Sequence, residues 1–290
     1  MSTTLTEGAI APAIVRSTDW PFLGAAVAIT ALLIALVLLD GEPRSAALIA
    51  AGFGLGVAFL TTEFSFTASW RRFLTRGEAG GLLAALLLIA VAALVIVPVA
   101  ARGQGFGGAI APLGPSLVIG AFVFGIGMQL ANGCGSGTLY TAGGGSGRML
   151  IALLGFIIGC VVGSLQLPAF LALGGIDPIL ASDYLGPWGG LAATLASIAA
   201  AALLVIAIAR RRAASIAPPR PLVVGAVAVA ALAIATFVAG GHPWSVTFGF
   251  TVWGAKAASL MGFDLSHAPF WQWAGPRRAL GDSVLSDTRA

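Results

Sequence analysis

Polar and apolar positions do not alternate along this chain; they separate into long apolar runs divided by short polar stretches. Eight runs reach, or nearly reach, the roughly 20 residues a helix needs to cross a bilayer. They cover about residues 20–39, 45–62, 80–101, 113–131, 149–173, 188–209, 221–239 and 244–262. A membrane barrel would instead show short segments alternating in hydrophobicity. The pattern therefore predicts an all-α, polytopic transmembrane helical bundle of about eight spans. Residues 1–19 read as a cytoplasmic N-terminal segment, 20–265 as the transmembrane domain and 266–290 as a C-terminal tail. The first 19 residues carry Glu7, Arg16 and Asp19, with no basic region preceding the first run, so no cleavable leader is expected.

Composition agrees. The chain is 58% hydrophobic and only 9% charged, where a soluble domain carries about a quarter charged residues. A net charge of +4 could suggest nucleic acid, but the arginines sort by topology instead. With eight spans, twelve fall on the side of the termini: Arg16, Arg71, Arg72, Arg76, Arg148, Arg210, Arg211, Arg212, Arg220, Arg277, Arg278 and Arg289. Arg44 and Arg102 alone fall opposite. Loop arginines mark the cytoplasmic side, which predicts both termini there and no nucleic-acid partner. The two cysteines, Cys134 and Cys160, lie at or near membrane depth, which argues against a structural disulfide.

Two stretches, 61–77 and 132–147, are too polar or glycine-rich to span and too apolar for ordinary loops. They read as re-entrant broken segments, which persist at membrane depth only where protein or a water-filled cavity satisfies the backbone. They echo each other at an offset of 71 residues: Phe53 aligns with Phe124, Gly54 and Gly56 with Gly125 and Gly127, Ser65 with Ser136, and Thr67 with Thr138. Glu63 then falls opposite Cys134. The expected repeats lie near 45–101 and 113–173, with a third element near 221–262. Internal repeats meeting at broken helices are a usual transporter layout, with the substrate site at their interface.

The second stretch reads "NGCGSGTLYTAGGGSG". Gly133, Gly135 and Gly137 let backbone amides approach a ligand closely. Free N–H groups at a helix start make an anion site. Ser136, Thr138 and Ser146 add hydroxyl donors, and Cys134 adds a soft, polarizable thiol. An alternative reading has the glycines allowing close helix packing, with the cysteine as a small filler. One cysteine without a neighbouring histidine or second thiol cannot complete a metal shell, and GxxxxGK[ST] is absent, so no metal, cofactor or nucleotide is expected.

The segment "FVFGIGMQLANGCGSGTLYTAGGGS" resembles the signature of the YeeE/YedE family of bacterial inner-membrane sulfur-transport proteins. "GGHPWSVTFGFTVWGAKAASLMGFD" is similar to that family's GxPWGxTxxFxLWGAK stretch, and "FSFTASWRRFL" to its first broken segment. The resemblance implies a permease, not an enzyme, for thiosulfate or a related sulfur-containing anion, with cysteines of the broken segments along the path. It places Cys134 on that path, with Gly133, Gly135, Ser136, Gly137, Thr138 and Tyr140 around it. Where the family usually has a cysteine in its first broken segment, this chain reads Thr62-Glu63-Phe64-Ser65. Glu63 at depth would repel an anion unless protonated or paired, with Arg71 or Arg72 as candidates. The family also continues beyond "SVLSDT", so the resemblance implies either a shortened member that assembles with something or a degraded copy.

Lys256 is a further candidate, because an intramembrane lysine can attract an anion or pair with Glu63; the alternative is a cation reaching the membrane edge. Trp244, Trp253, Trp271 and Trp273 read as interface anchors, His242 as a solvated turn residue and Cys160 as a packing residue. The expected partners are a small inorganic anion and membrane lipid, with a homo-oligomer or a second membrane subunit left open. Two alternatives stand beside the permease: a membrane sulfurtransferase carrying a persulfide on Cys134, which needs an activated thiolate, and a scaffold subunit of a multi-chain transporter.

Overall fold

Each apolar run becomes a helix, because in lipid only intra-segment hydrogen bonds satisfy the backbone. The structure, a computed structural model, describes residues 20–103, 105–108 and 110–282. The expected N-terminal segment, with Arg16, and residues 283–290, with Arg289 and all of the "SVLSDT" stretch, lie outside the described residues. In chain order the helices are α1 (Trp20–Leu39), α2 (Pro43–Thr62), α3 (Phe66–Arg76), α4 (Gly80–Ala101), α5 (Pro115–Ala131) and α6 (Gly135–Gly143). Then follow α7 (Gly147–Leu171), α8 (Ala181–Arg211), α9 (Arg220–Gly240), α10 (Val246–Leu260), α11 (Pro269–Gln272) and α12 (Ala274–Gly281).

The fold is all-α and polytopic, but the span count differs from the expected eight. Among the described residues, six helical stretches are long and apolar enough to cross a membrane: Pro43–Arg76, Gly80–Ala101, Pro115–Gly143, Gly147–Leu171, Ala181–Arg211 and Arg220–Gly240. The last run fails because its polar ends take part of its length. Ser245 caps the start of α10 and Gly262, at φ 91°, follows its end. The remaining 15 residues extend about 22 Å, against a hydrocarbon core of about 30 Å. The first run forms the 20-residue α1, Trp20–Leu39, of which Leu23–Leu39 counts among the shorter apolar helices.

The core lies where α2, α4 and α9 meet. These helices bury far more of themselves than α7 or α8. A side chain at Gly54 would touch Leu232, and one at Gly225 would strike Thr62, so α2 and α9 run antiparallel. Ala84, Ala85 and Ala226 pack with Phe64, and Leu55 and Ala58 with Val229. Small residues at these contacts let the backbones approach, which drives helix association where lipid is as apolar as the side chains. Helix α8 is broken at Gly186 (φ 70°, ψ 175°), just before Pro187.

The chain's last described helices fold back. Phe270, Trp271 and Ala279 pack against Val252 and Ala255 of α10, with Leu167 of α7 at the edge. Trp271, expected as an interface anchor, is 1% exposed and sits in this cluster. Trp253 is half exposed.

Candidate functional site

The glycine–cysteine stretch is built by two backbone events. First, α5 stops at Asn132, which takes the left-handed conformation at φ 60° and donates its N–H to Gln129 O and Met128 O. Second, Cys134 turns extended (φ −78°, ψ −179°) and becomes the N-cap of α6, its carbonyl accepting from Thr138 N at 2.8 Å. Gly133 between them must be bare, since a Cβ would stand 2.8 Å from Thr138 Oγ1 and 3.1 Å from Thr138 N.

The Cys134 side chain makes no capping hydrogen bond. The amides of Gly135, Ser136 and Gly137 therefore have no helical acceptor, as at any helix start, and no side chain covers them from the cap position. Cys134 Sγ lies 3.5 Å from Ser136 Oγ. Cys134 and Ser136 are half-buried, and Thr138 is buried. The arrangement presents a thiol, a hydroxyl and uncapped amides at the positive end of a short helix, which suits an anion.

Aromatic rings hold α6 in place from both sides. Tyr140 stacks on Phe59 of α2, with centroids 5.5 Å apart and planes within 5°, and Phe59 meets Phe64 at 6.4 Å. On the other side Phe156 of α7 lies against Gly135 and makes an edge contact with Phe250 of α10 at 5.7 Å. Cys160, on the same helix as Phe156, has Thr251 of α10 as its hydroxyl neighbour.

Two other helices start in the same way. Glu63 ends α2 in the left-handed conformation at φ 50°, and Ser65 caps α3. Gly241 ends α9 at φ 74°, and Ser245 caps α10. Ser65 Oγ accepts from Ala68 N, and Ser245 Oγ from Phe248 N, both at 3.2 Å. Each start carries a hydroxyl two residues beyond its cap: Ser65-Phe66-Thr67, Cys134-Gly135-Ser136 and Ser245-Val246-Thr247. Of the three, α6 alone has a sulfur at the cap and no amide bound to it.

This geometry changes the alignment of the first two segments. Glu63 corresponds to Asn132 and Ser65 to Cys134, an offset of 69 residues and not 71. Ser65, not Glu63, stands in the place of the cysteine. The sequence missed Ser65 and Ser245; the polar–x–hydroxyl pattern after each break was the available signal. Glu63 is exposed and forms no ion pair among the described residues. Arg71 donates instead to Gln129 O and Oε1, each at 3.3 Å. A left-handed L-residue costs roughly 1–2 kcal/mol, offset in part by glycine's greater backbone entropy. Glu63→Gly should thus leave stability unchanged or raise it by up to about 1 kcal/mol; a clear loss in thermal unfolding would mean that the carboxylate has a partner.

The structure does not bring Lys256 to Cys134's polar partners. Its ammonium donates to Leu280 O at 3.3 Å and to Asp282 O, at the C-terminal end of α12, where a cation meets the negative end of the helix. It pairs neither with Glu63 nor with the thiol, so it does not supply the activated thiolate that a persulfide on Cys134 needs. Lys256→Met should loosen α12 and speed tryptic cutting at Arg277 and Arg278 several-fold, because a hydrogen bond to a charged group contributes about 1.5–3 kcal/mol. Unchanged cutting with impaired uptake would return Lys256 to the anion path.

Comparison with known proteins adds to this geometry. The sequence profile of the family described as "Sulphur transport" matches residues 61–285. The probable transporter YedE of Escherichia coli (strain K12) is 29% identical over 182 residues, 59% of this chain and 42% of that protein. The match thus spans less than half the length of that relative. No solved structure matches the chain.

Proposed function

The chain belongs to the sulphur transport family, and from that premise we propose that it is a permease for a small sulfur-containing anion, thiosulfate or a close relative. The observation that supports this most is the uncapped start of α6, where the Cys134 thiol and Ser136 hydroxyl stand beside three free amides. Amide and hydroxyl donors replace the hydration of the anion's oxygens, and the polarizable thiol meets its terminal sulfur. No covalent change at Cys134 is required, so the protein acts as a transporter and not as a sulfurtransferase. The substrate passes Gly133, just before the cap, and Gly135, Ser136, Gly137, Thr138 and Tyr140 of α6. The host membrane is the bacterial inner membrane, with the connections that carry Arg71, Arg72, Arg76, Arg148 and Arg210, Arg211, Arg212 on its cytoplasmic side; the expected cytoplasmic placement of both termini follows from eight spans and not from six.

The test is uptake of radiolabelled thiosulfate by cells lacking their own importers. Cells making this chain accumulate label above the empty-vector level, and excess unlabelled thiosulfate suppresses it more than sulfate does. Equal competition by sulfate would assign the site to oxyanions in general, and no accumulation would refute import of thiosulfate by this chain.

A further inference from the structure

The surroundings of Cys134 depend on a side chain outside α6. Two groups of α6 flank the bare Cα of Gly137: a Cβ there would meet Cys134 Sγ at 3.4 Å and Tyr140 Cε1 at 3.9 Å. No other atom of the Tyr140 ring comes within 4 Å of that point, so the ring turns its rim, and not its face, towards Gly137. The thiol and the rim of the ring therefore share one side of the helix. The Tyr140 hydroxyl makes no hydrogen bond among the described residues and is not sealed inside the protein.

The face of the same ring is occupied. Phe59 of α2 stacks on it with centroids 5.5 Å apart and planes within 5°. Leu60, the next residue of α2, supports the same helix further along, its Cδ1 lying 3.4 Å from where a Cβ at Gly144 would stand. Phe59 is itself rooted in the α2–α4–α9 core, where it packs against both of its clusters, beside Ala84 and Ala226 in one and Val229 in the other. An aromatic ring carries partial negative charge on its face and partial positive charge on its rim. A tyrosine free to swing would expose its face and repel an anion. Stacked on Phe59, Tyr140 keeps one face covered and its rim beside the thiol.

Resting on the permease reading above, we propose that Phe59 is a positioning residue for the anion. It holds Tyr140 edge-on beside Cys134, so that the ring's rim and hydroxyl meet the anion's oxygens while the thiol meets its sulfur. The core of α2, α4 and α9 thereby sets the recognition geometry of α6, although Phe59 itself touches no substrate.

The experiment measures how fast two methanethiosulfonates of opposite charge modify Cys134 in a Cys160→Ala background. The anionic reagent carries an ethylsulfonate and the cationic one an ethyltrimethylammonium, and each rate is divided by that with free mercaptoethanol. The intact site prefers the anionic reagent. Phe59→Leu and Phe59→Met keep an apolar side chain in the core, and each lowers this preference about threefold, the effect of losing one aromatic pair. Tyr140→Leu, which leaves the core untouched, lowers it to the same extent. The double variant Phe59→Leu with Tyr140→Leu loses no more than either alone, because Phe59 acts through Tyr140. Three results would overturn the proposal: no anionic preference in the intact chain, an unchanged preference in Tyr140→Leu, or additive losses in the double variant. Equal acceleration of both reagents by the Phe59 variants, which a purely structural role produces, would overturn it as well. The reagents read the site without transport, so thiosulfate uptake by the intact chain stands or falls separately.

Discussion

Replacing Cys134 by alanine should abolish sulfur-anion uptake while leaving the protein folded and present in the membrane. The side chain caps no amide, and its recorded polar neighbour is Ser136 Oγ at 3.5 Å, so its removal costs the fold little. On the transport reading its partner is the passing anion, and a hydrogen bond to a charged group contributes about 1.5–3 kcal/mol, a drop of at least about tenfold in uptake. Serine separates stability from function more sharply. At the equivalent caps, Ser65 and Ser245 each bind the amide three residues on. A serine at 134 should do the same with Gly137 N and stabilise the helix start by about 1 kcal/mol. It should also withdraw one amide from the anion and remove the sulfur, so Cys134→Ser is expected to be more stable and less active. Uptake by the serine variant equal to that of the unaltered chain would show that sulfur at the cap is not needed.

The second large effect concerns the wall of the site. A Cβ at Gly254 would lie 2.6 Å from Val161 Cγ2 and 2.8 Å from Ile157 Cγ2, where α10 rests on α7. Gly254→Ala should cost about 1–3 kcal/mol through overpacking. Gly254→Leu cannot be accommodated without parting the two helices, and with them the Phe156–Phe250 contact that backs Gly135. The leucine variant is expected to fail to accumulate as a monodisperse folded species in size-exclusion chromatography. Gly163→Ala on the same α7, where nothing lies within 4 Å of a Cβ, should be neutral. If both alanine variants unfold at the same temperature as the unaltered chain, the α7–α10 packing described above is wrong.

Long apolar runs were the most legible feature of the sequence, because bilayer thickness and backbone satisfaction leave a helix as nearly their only outcome. Where they end was less legible, because ends are set by caps. Ser245 and Gly262 shorten the final run below span length, which hydropathy alone does not register. The echo between the broken segments was visible, but it matched the glycines of the preceding helices. The break itself is set by a left-handed residue and an extended cap, Glu63 with Ser65 and Asn132 with Cys134, and those pairs share no residue type. The contacts of Lys256 were not legible for a different reason. Its partners lie 24 and 26 residues further on, in a segment whose fold-back rests on Trp271 and Phe270 meeting Val252 and Ala255. Nothing local to Lys256 announces that contact. The residues Gly133 to Tyr140 stand together in sequence and in space because they lie on one nine-residue helix, its cap and the glycine before it.

The most direct measurement is the rate at which a maleimide labels Cys134 in a Cys160→Ala background, with and without thiosulfate. The account predicts that millimolar thiosulfate slows labelling several-fold, that chloride at equal ionic strength does not, and that the protected variant still transports. Labelling that is indifferent to thiosulfate, in a protein that still takes it up, would place the anion's path away from the start of α6.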